Sequence, residues 1–254
     1  MTTFTAFCKK ELLESARTWR LWGLLAAFLA LGLMSPLLAK LLPDLLSGAD
    51  IGGTTIQLPE ATAFDSWTQF FKNIAQLGGL VLLIVFSGLT AGEFSRGTLV
   101  MVLAKGAGRT PIVLAKLAVA GLAWTASYGL ALATTWGYNA YYWGTGGLNH
   151  AGLAFVSPWL FGLMMVALLA LGGIMAKNLL GALGVALGVY IGLNLINIAP
   201  AAARFNPVSL AGGTLALLNG QAAPSDFWPA VGICGAAIVA AVVASLLVFN
   251  QKQI

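Results

Sequence analysis

Residues 155–198 form an almost unbroken apolar run, and Lys177-Asn178 is its one charged break. As a single α-helix the run would extend roughly 65 Å, twice the thickness of a bilayer's hydrocarbon core. It must therefore double back, and the hairpin turn belongs at Lys177-Asn178. The rest of the chain has the same character. Of 254 residues, 59% are hydrophobic and 8% charged, against about 25% charged in soluble domains. So few charges cannot cover a water-soluble fold of this size. The fold class read from the sequence is an all-α polytopic membrane protein.

Hydropathy and punctuation divide the chain further, as a single transmembrane domain over residues 1–254. Crossings are expected at about 21–42, 74–91, 111–138, 157–176, 179–198 and 228–249. The first is longer than a signal-peptide core and has no cleavage site after it, so it reads as a retained crossing. Residues 2–20 predict an amphipathic helix. Phe4, Phe7, Cys8, Leu12, Ala16 and Trp19 share one arc, with Lys10, Glu14 and Arg17 opposite; Glu11 and Ser15 interrupt the apolar arc. Such a helix either lies in the membrane interface, helping to form a docking surface, or is a solvated lead-in to the first crossing. Residues 43–72 leave the membrane, and their aromatic tail, 64–71, is expected to rest on the outer interface. Thr110-Pro111 reads as a cap with proline at the first helical position. Tyr138, Tyr141, Tyr142 and Trp143 make an aromatic collar. Residues 200–227 return outside, with 210–218 a short helix half-inserted from that side. Gly184, Gly188 and Gly192 repeat on one face of the fifth crossing, for packing within the subunit or for contact with a second one. Cys8 and Cys234 are too differently placed for a structural disulfide.

Charge sets the orientation. With the N-terminus inside, Lys9, Lys10, Arg17, Arg20, Arg96, Lys105, Arg109, Lys116, Lys177 and Lys252 face the cytoplasm, and only Lys40, Lys72 and Arg204 lie outside. Six crossings return the C-terminus to the cytoplasm.

Several functions are disfavoured. No expected crossing has an Asp, Glu, Arg or His near its middle, where an ion-coupled carrier keeps ionisable groups. The one histidine, His150, lies in an outer loop, with no nucleophile–base pair and no metal-ligand cluster in the pattern. No G-x-x-x-x-G-K-[ST] phosphate loop is present. The chain is read as no enzyme and as carrying no cofactor of its own; ATP-driven work would need another polypeptide.

The positive signal lies between the second and third crossings. Glu93-x-x-x-Gly97-Thr98-Leu99 is followed by a short apolar run, then Leu103-x-Lys105-Gly106-x-x-Arg109 and Leu114-Ala115-Lys116. Residues 98–103 are too few to cross a bilayer, so they predict a brief helix along the cytoplasmic face. Arg96, Lys105, Arg109 and Lys116, taken singly, need no more than the positive-inside bias; as one pattern they are more specific. The pattern resembles the signature of the ABC-2 type transporter permeases. The N-terminal helix, the six crossings and the extended segment before the sixth are similar to that family over essentially the whole chain. Trp124-Thr125-x-Ser127-Tyr128 and Tyr138-Asn139-Ala140-Tyr141 are similar to a bacterial branch of it.

The resemblance implies a permease subunit of an ATP-driven exporter in the bacterial cytoplasmic membrane. It would pair with a second permease, identical or similar, and with two cytoplasmic ATPase subunits that hold ATP and magnesium. The short helix would be the coupling helix, with Glu93, Arg96, Gly97, Thr98, Leu99, Leu103, Lys105, Arg109 and Lys116 as the coupling region. The cargo would be hydrophobic or amphipathic: a peptide, an antibiotic or a lipid. Membrane lipids surround such a chain, and no nucleic acid is expected. The alternative is a stand-alone immunity or scaffold protein that does not transport.

Overall fold

The computed structural model describes residues 3–47, 60–96, 108–144 and 147–252. Among these, every regular element is helical. Helix α1 (Thr3–Arg17) leads through a turn at Trp19, in the left-handed region at φ 60°, into α2 (Arg20–Ser47). Helix α3 (Ala63–Asn73), a π-helical turn (Ile74–Gly78) and α4 (Gly79–Arg96) run on as one rod. Then come α5 (Arg109–Tyr142), α6 (Ala151–Ala176) and α7 (Leu179–Ile196). Three short helices, α8 (Pro200–Ala203), α9 (Ser209–Gly212) and α10 (Thr214–Leu218), precede the last long one, α11 (Trp228–Gln251). Among the described residues, six helical stretches are long and apolar enough to span a membrane.

The hairpin at Lys177-Asn178 is built as the apolar run requires. Lys177 takes a left-handed conformation, φ 60°, and its N–H donates to the Gly173 carbonyl, closing α6. Asn178 then caps α7, its Oδ1 accepting from the Gly181 N–H at 2.7 Å.

Three local expectations give way. The second spanning rod begins at Ala63, well before residue 74. Thr62 and Asp65 start it with a reciprocal capping box, and Trp67, Phe70 and Phe71, expected on the outer interface, are buried in the core. Trp67 lies 4.7 Å and Phe71 5.8 Å, ring to ring, from Phe155 of α6, so the aromatic tail is bundle interior. Second, α5 begins at Arg109 with Gly108 at its cap, so Pro111 sits inside the first turn rather than at its first residue; no backbone donor is lost there, because first-turn N–H groups have no partner in the helix. Third, the 210–218 helix is two helices broken at Gly213, and Leu210, Leu217 and Leu218 are fully buried against the bundle.

Helix α6 is the hub, packed by α4, α5, α7, α9, α10 and α11. Polar groups inside the bundle are used to pin helices together. Tyr128 of α5 donates to the Phe155 carbonyl at 2.7 Å, beside the backbone that Pro158 disrupts. Trp124 Nε1 donates to the Trp159 carbonyl at 2.9 Å, and Trp159 Nε1 returns to Thr125 Oγ1 at 3.0 Å. The Trp124–Tyr128 motif is thus the clasp between the third and fourth crossings. Thr135 donates to the Gly32 carbonyl at 2.9 Å, where α2 and α5 approach backbone to backbone.

The rods leave the molecule with two unlike ends. One gathers Lys10, Arg20, Arg109, Lys116, Lys177 and Lys252. The other carries the aromatic collar, in which Tyr138 stacks on Tyr142 and Lys40 Nζ sits 3.8 Å above the Tyr142 ring. Trp143 anchors the collar by donating to the Ala61 carbonyl at 2.7 Å.

Candidate functional site

Two features are candidates for a functional site: the basic end, and a cavity towards the collar end. At the basic end, Gly97, Thr98, Leu99, Leu103 and Lys105 lie outside the described residues, as do the side chains of Glu93 and Arg96. Arg109 and Lys116 are described, and both are engaged. Lys116 is only 4% exposed, and its Nζ lies 2.9 Å from Oε2 of Glu11, itself 7% exposed. Lys10 reaches the other oxygen, Oε1, at 2.9 Å and Glu14 at 3.1 Å. An ion pair withdrawn from water holds only with close geometry and further hydrogen bonds, and Glu11 has cations on both oxygens. The pair rivets the N-terminal helix to the third crossing, just past residues 97–107.

Glu11 was visible in the sequence only as a flaw in the apolar arc of α1. The flaw is the contact: the side of α1 that carries Phe7, Cys8, Glu11 and Ser15 faces α5, and the carboxylate is there for Lys116. Leu12 and Leu13, at 51% and 48% exposed, turn away from the bundle instead.

Arg109 donates from Nη1 to the carbonyls of Phe249, Asn250 and Lys252, at 3.1, 2.8 and 2.7 Å. It joins the start of α5 to the end of α11. Phe94, close to the end of α4, packs edge-on against Phe249 at 6.0 Å. Both described flanks of the 97–107 segment therefore bear on the sixth crossing.

The cavity measures ≈ 590 Å³, within the range of small-molecule sites. Its walls come from the π-helical turn, the Pro158 region of α6, the end of α7 and α9. Trp124, Phe161 and Tyr190 supply aromatic surface, and Gln76, Asn194 and Asn197 supply carboxamides. Among the described residues none of its lining carries a formal charge. The Asn197 Oδ1 is buried without a donor, whereas Asn194 Nδ2 is used on the Tyr190 carbonyl at 2.8 Å. A π-turn offsets a helix by one residue and recurs at functional sites; here it carries Gln76 into the cavity lining. Sequence reading missed this site. Its trace was the handful of amides in otherwise oily crossings, which no spacing rule gathers into one place.

Gly184, Gly188 and Gly192 have no close neighbour among the described residues: a Cβ added to any of them would meet none of these within 4 Å. Cys8 and Cys234 are both free thiols.

No curated protein matches the chain. The family model described as "ABC-2 family transporter protein" matches residues 5–254, which takes in α1, all six spanning rods and both features described above. This polytopic helical chain therefore belongs to the ABC-2 transporter family, as the membrane-embedded permease of an ABC transporter that works with an ABC ATPase.

Proposed function

We propose that this permease exports a neutral hydrophobic or amphipathic compound, peptide-like, antibiotic-like or lipid-like, from the cytoplasm. The observation that carries the reading is the cavity: aromatic and aliphatic walls, three carboxamides and no charged lining among the described residues. Such a surface rewards apolar area and a few N–H or C=O groups, and desolvates an ion without compensation.

The basic end faces the cytoplasm in this reading, by the positive-inside bias, with both termini there and α1 along the interface. The ATPase, in two copies with ATP and magnesium, grips the 97–107 segment and pushes; Glu93, Arg96, Gly97, Thr98, Leu99, Leu103 and Lys105 form the grip. Arg109 and Lys116 carry the push onward, because each is already tied to another helix. A second permease, identical or similar, completes the pathway.

The test is ATP-dependent uptake of a fluorescent neutral lipopeptide into inside-out vesicles holding the chain and its ATPase. Uptake is expected to fall several-fold in Gln76→Leu, whose carboxamide is an exposed part of the lining, since an unsatisfied partner costs about 1–3 kcal/mol. ATPase association is expected to be lost in Leu99→Asp. Uptake driven by a gradient in the chain alone, or ATPase association surviving Leu99→Asp, would overturn the reading.

A further inference from the structure

We propose that Arg109 and Lys252 form a two-step relay of helix caps that binds the basic ends of α5, α11 and α6 into one rigid unit. This inference rests on the coupling reading above and extends it: a push on the 97–107 segment would reach the sixth and fourth crossings directly, through the C-terminal tail.

A helix ends with carbonyls that have no partner within it, and with the negative end of its dipole. At the end of α11 those carbonyls are taken by Arg109, with the three contacts given above. A cation in the first turn of α5 is at the wrong end of its own helix dipole. Arg109 is therefore not explained by α5; it is explained by the terminus of α11. The second step repeats the first. Lys252, the C-cap of α11, donates from Nζ to the carbonyls of Ile174 and, at 2.6 Å, of Met175, at the end of α6.

The Lys252 ammonium is held there at a cost. Desolvation, and secondly the nearby Lys177 charge, lower its pKa from the ordinary lysine value. The α6 carbonyls are what it gains in exchange, as charge-assisted acceptors. Phe94 lies between the two cations, its ring centre 6.0 Å from Lys177 Nζ and 5.6 Å from Lys252 Nζ. Beneath the relay, Ile112, Val113, Ile174 and Phe249 form a small separate apolar cluster. The last turn of α4, the first of α5 and the last of α6 and α11 thus share one knot. A base that merely marked the cytoplasmic side would need none of these acceptors. Lys252 is a positioning residue: it acts through α6.

The test uses the full chain in lipid nanodiscs with its ATPase. Nitroxides are placed at Met175 of α6 and Leu247 of α11, which are 52% and 57% exposed, in a Cys8→Ser, Cys234→Ala background. In the unsubstituted relay the label distance is expected to hold within about 2 Å between nucleotide-free and ATP-trapped states, as for a rigid element. Lys252→Gln is expected to broaden it by about 5 Å even without nucleotide, and transport per ATP to fall about tenfold with ATPase association intact. Lys252→Arg is expected to restore both readouts. The relay is wrong if the wild-type distance shifts by more than about 5 Å on ATP binding, or if Lys252→Gln matches wild type. Should no ATPase bind the wild-type chain, the coupling reading fails alone; the nucleotide-free comparison of the Gln and Arg variants still decides whether the caps hold the helix ends.

Discussion

The fourth and fifth crossings are equally oily, each contains four glycines, and they are neighbours in a hairpin. Their fates differ: 67% of an apolar 18-residue window of α6 is buried, and only 11% of the 18 residues of α7. The glycines account for much of the difference. A Cβ on Gly162 of α6 would lie 2.1 Å from the Trp124 ring, and one on Gly173 2.3 Å from Thr90 Oγ1. The α7 stripe at Gly184, Gly188 and Gly192 meets nothing among the described residues. In lipid no hydrophobic force sorts helices into core and periphery, because lipid tails are as apolar as leucine. What sorts them is shape: a small residue becomes a core residue when a large one, held by its own hydrogen bond, occupies the space beside it. Trp124 is such a residue, fixed through Nε1 to the Trp159 carbonyl.

The strongest test of that contrast is therefore Gly162→Leu. The new side chain would have to displace Trp124, break its hydrogen bond and reopen the α5–α6 clasp. Overpacking alone costs about 1–3 kcal/mol, and an orphaned buried donor adds about as much again. We expect the variant to lose its monodisperse peak in detergent size-exclusion chromatography. A variant with wild-type elution and Tm would mean that α6 is not packed against Trp124 as described.

The buried ion pair at the basic end should come next in size. Glu11→Gln leaves Lys116 buried with a weaker partner, and breaking one side of a buried pair costs about 3–5 kcal/mol at most. A double-mutant cycle with Lys116→Met, read by Tm in detergent, should show the two losses adding to less than their sum, with a coupling of about 1–3 kcal/mol. Strict additivity would show that α1 and α5 are not held by this pair.

The sequence carries the large features of the fold because they depend on length and on the scarcity of charge. The hairpin at Lys177-Asn178 and the number of spans follow from a bilayer's thickness. Other features depend on three-dimensional complementarity, and a linear pattern does not encode that. Trp67 and Phe71 look like interfacial aromatics until Phe155 is brought beside them by a helix far along the chain. Glu11 looks like a defect in an amphipathic arc until Lys116 arrives opposite it. The cavity assembles single amides from the second and fifth crossings, and the relay joins Arg109 to a tail more than half the chain away. Bases near a membrane have a ready explanation in topology, and that explanation hides the few that also cap helices.

The smallest effect on the subunit itself is expected at Gly188→Leu, and this makes it the sharpest probe of the contrast between the two crossings. Leucine is a better helix former than glycine by about 0.8 kcal/mol, and nothing lies within 4 Å of the new Cβ. Tm in detergent should stay within about 0.5 kcal/mol of wild type, as for an exposed substitution. Counting subunits by single-molecule photobleaching in nanodiscs then separates the two environments that an open stripe can face. If a second permease packs against α7, the bulkier side chain should abolish pairing without changing Tm. If lipid covers the stripe, pairing and Tm should both be unchanged. A fall in Tm for the monomer would place the α7 glycines in the core after all, and the distinction between the two crossings would have to be withdrawn.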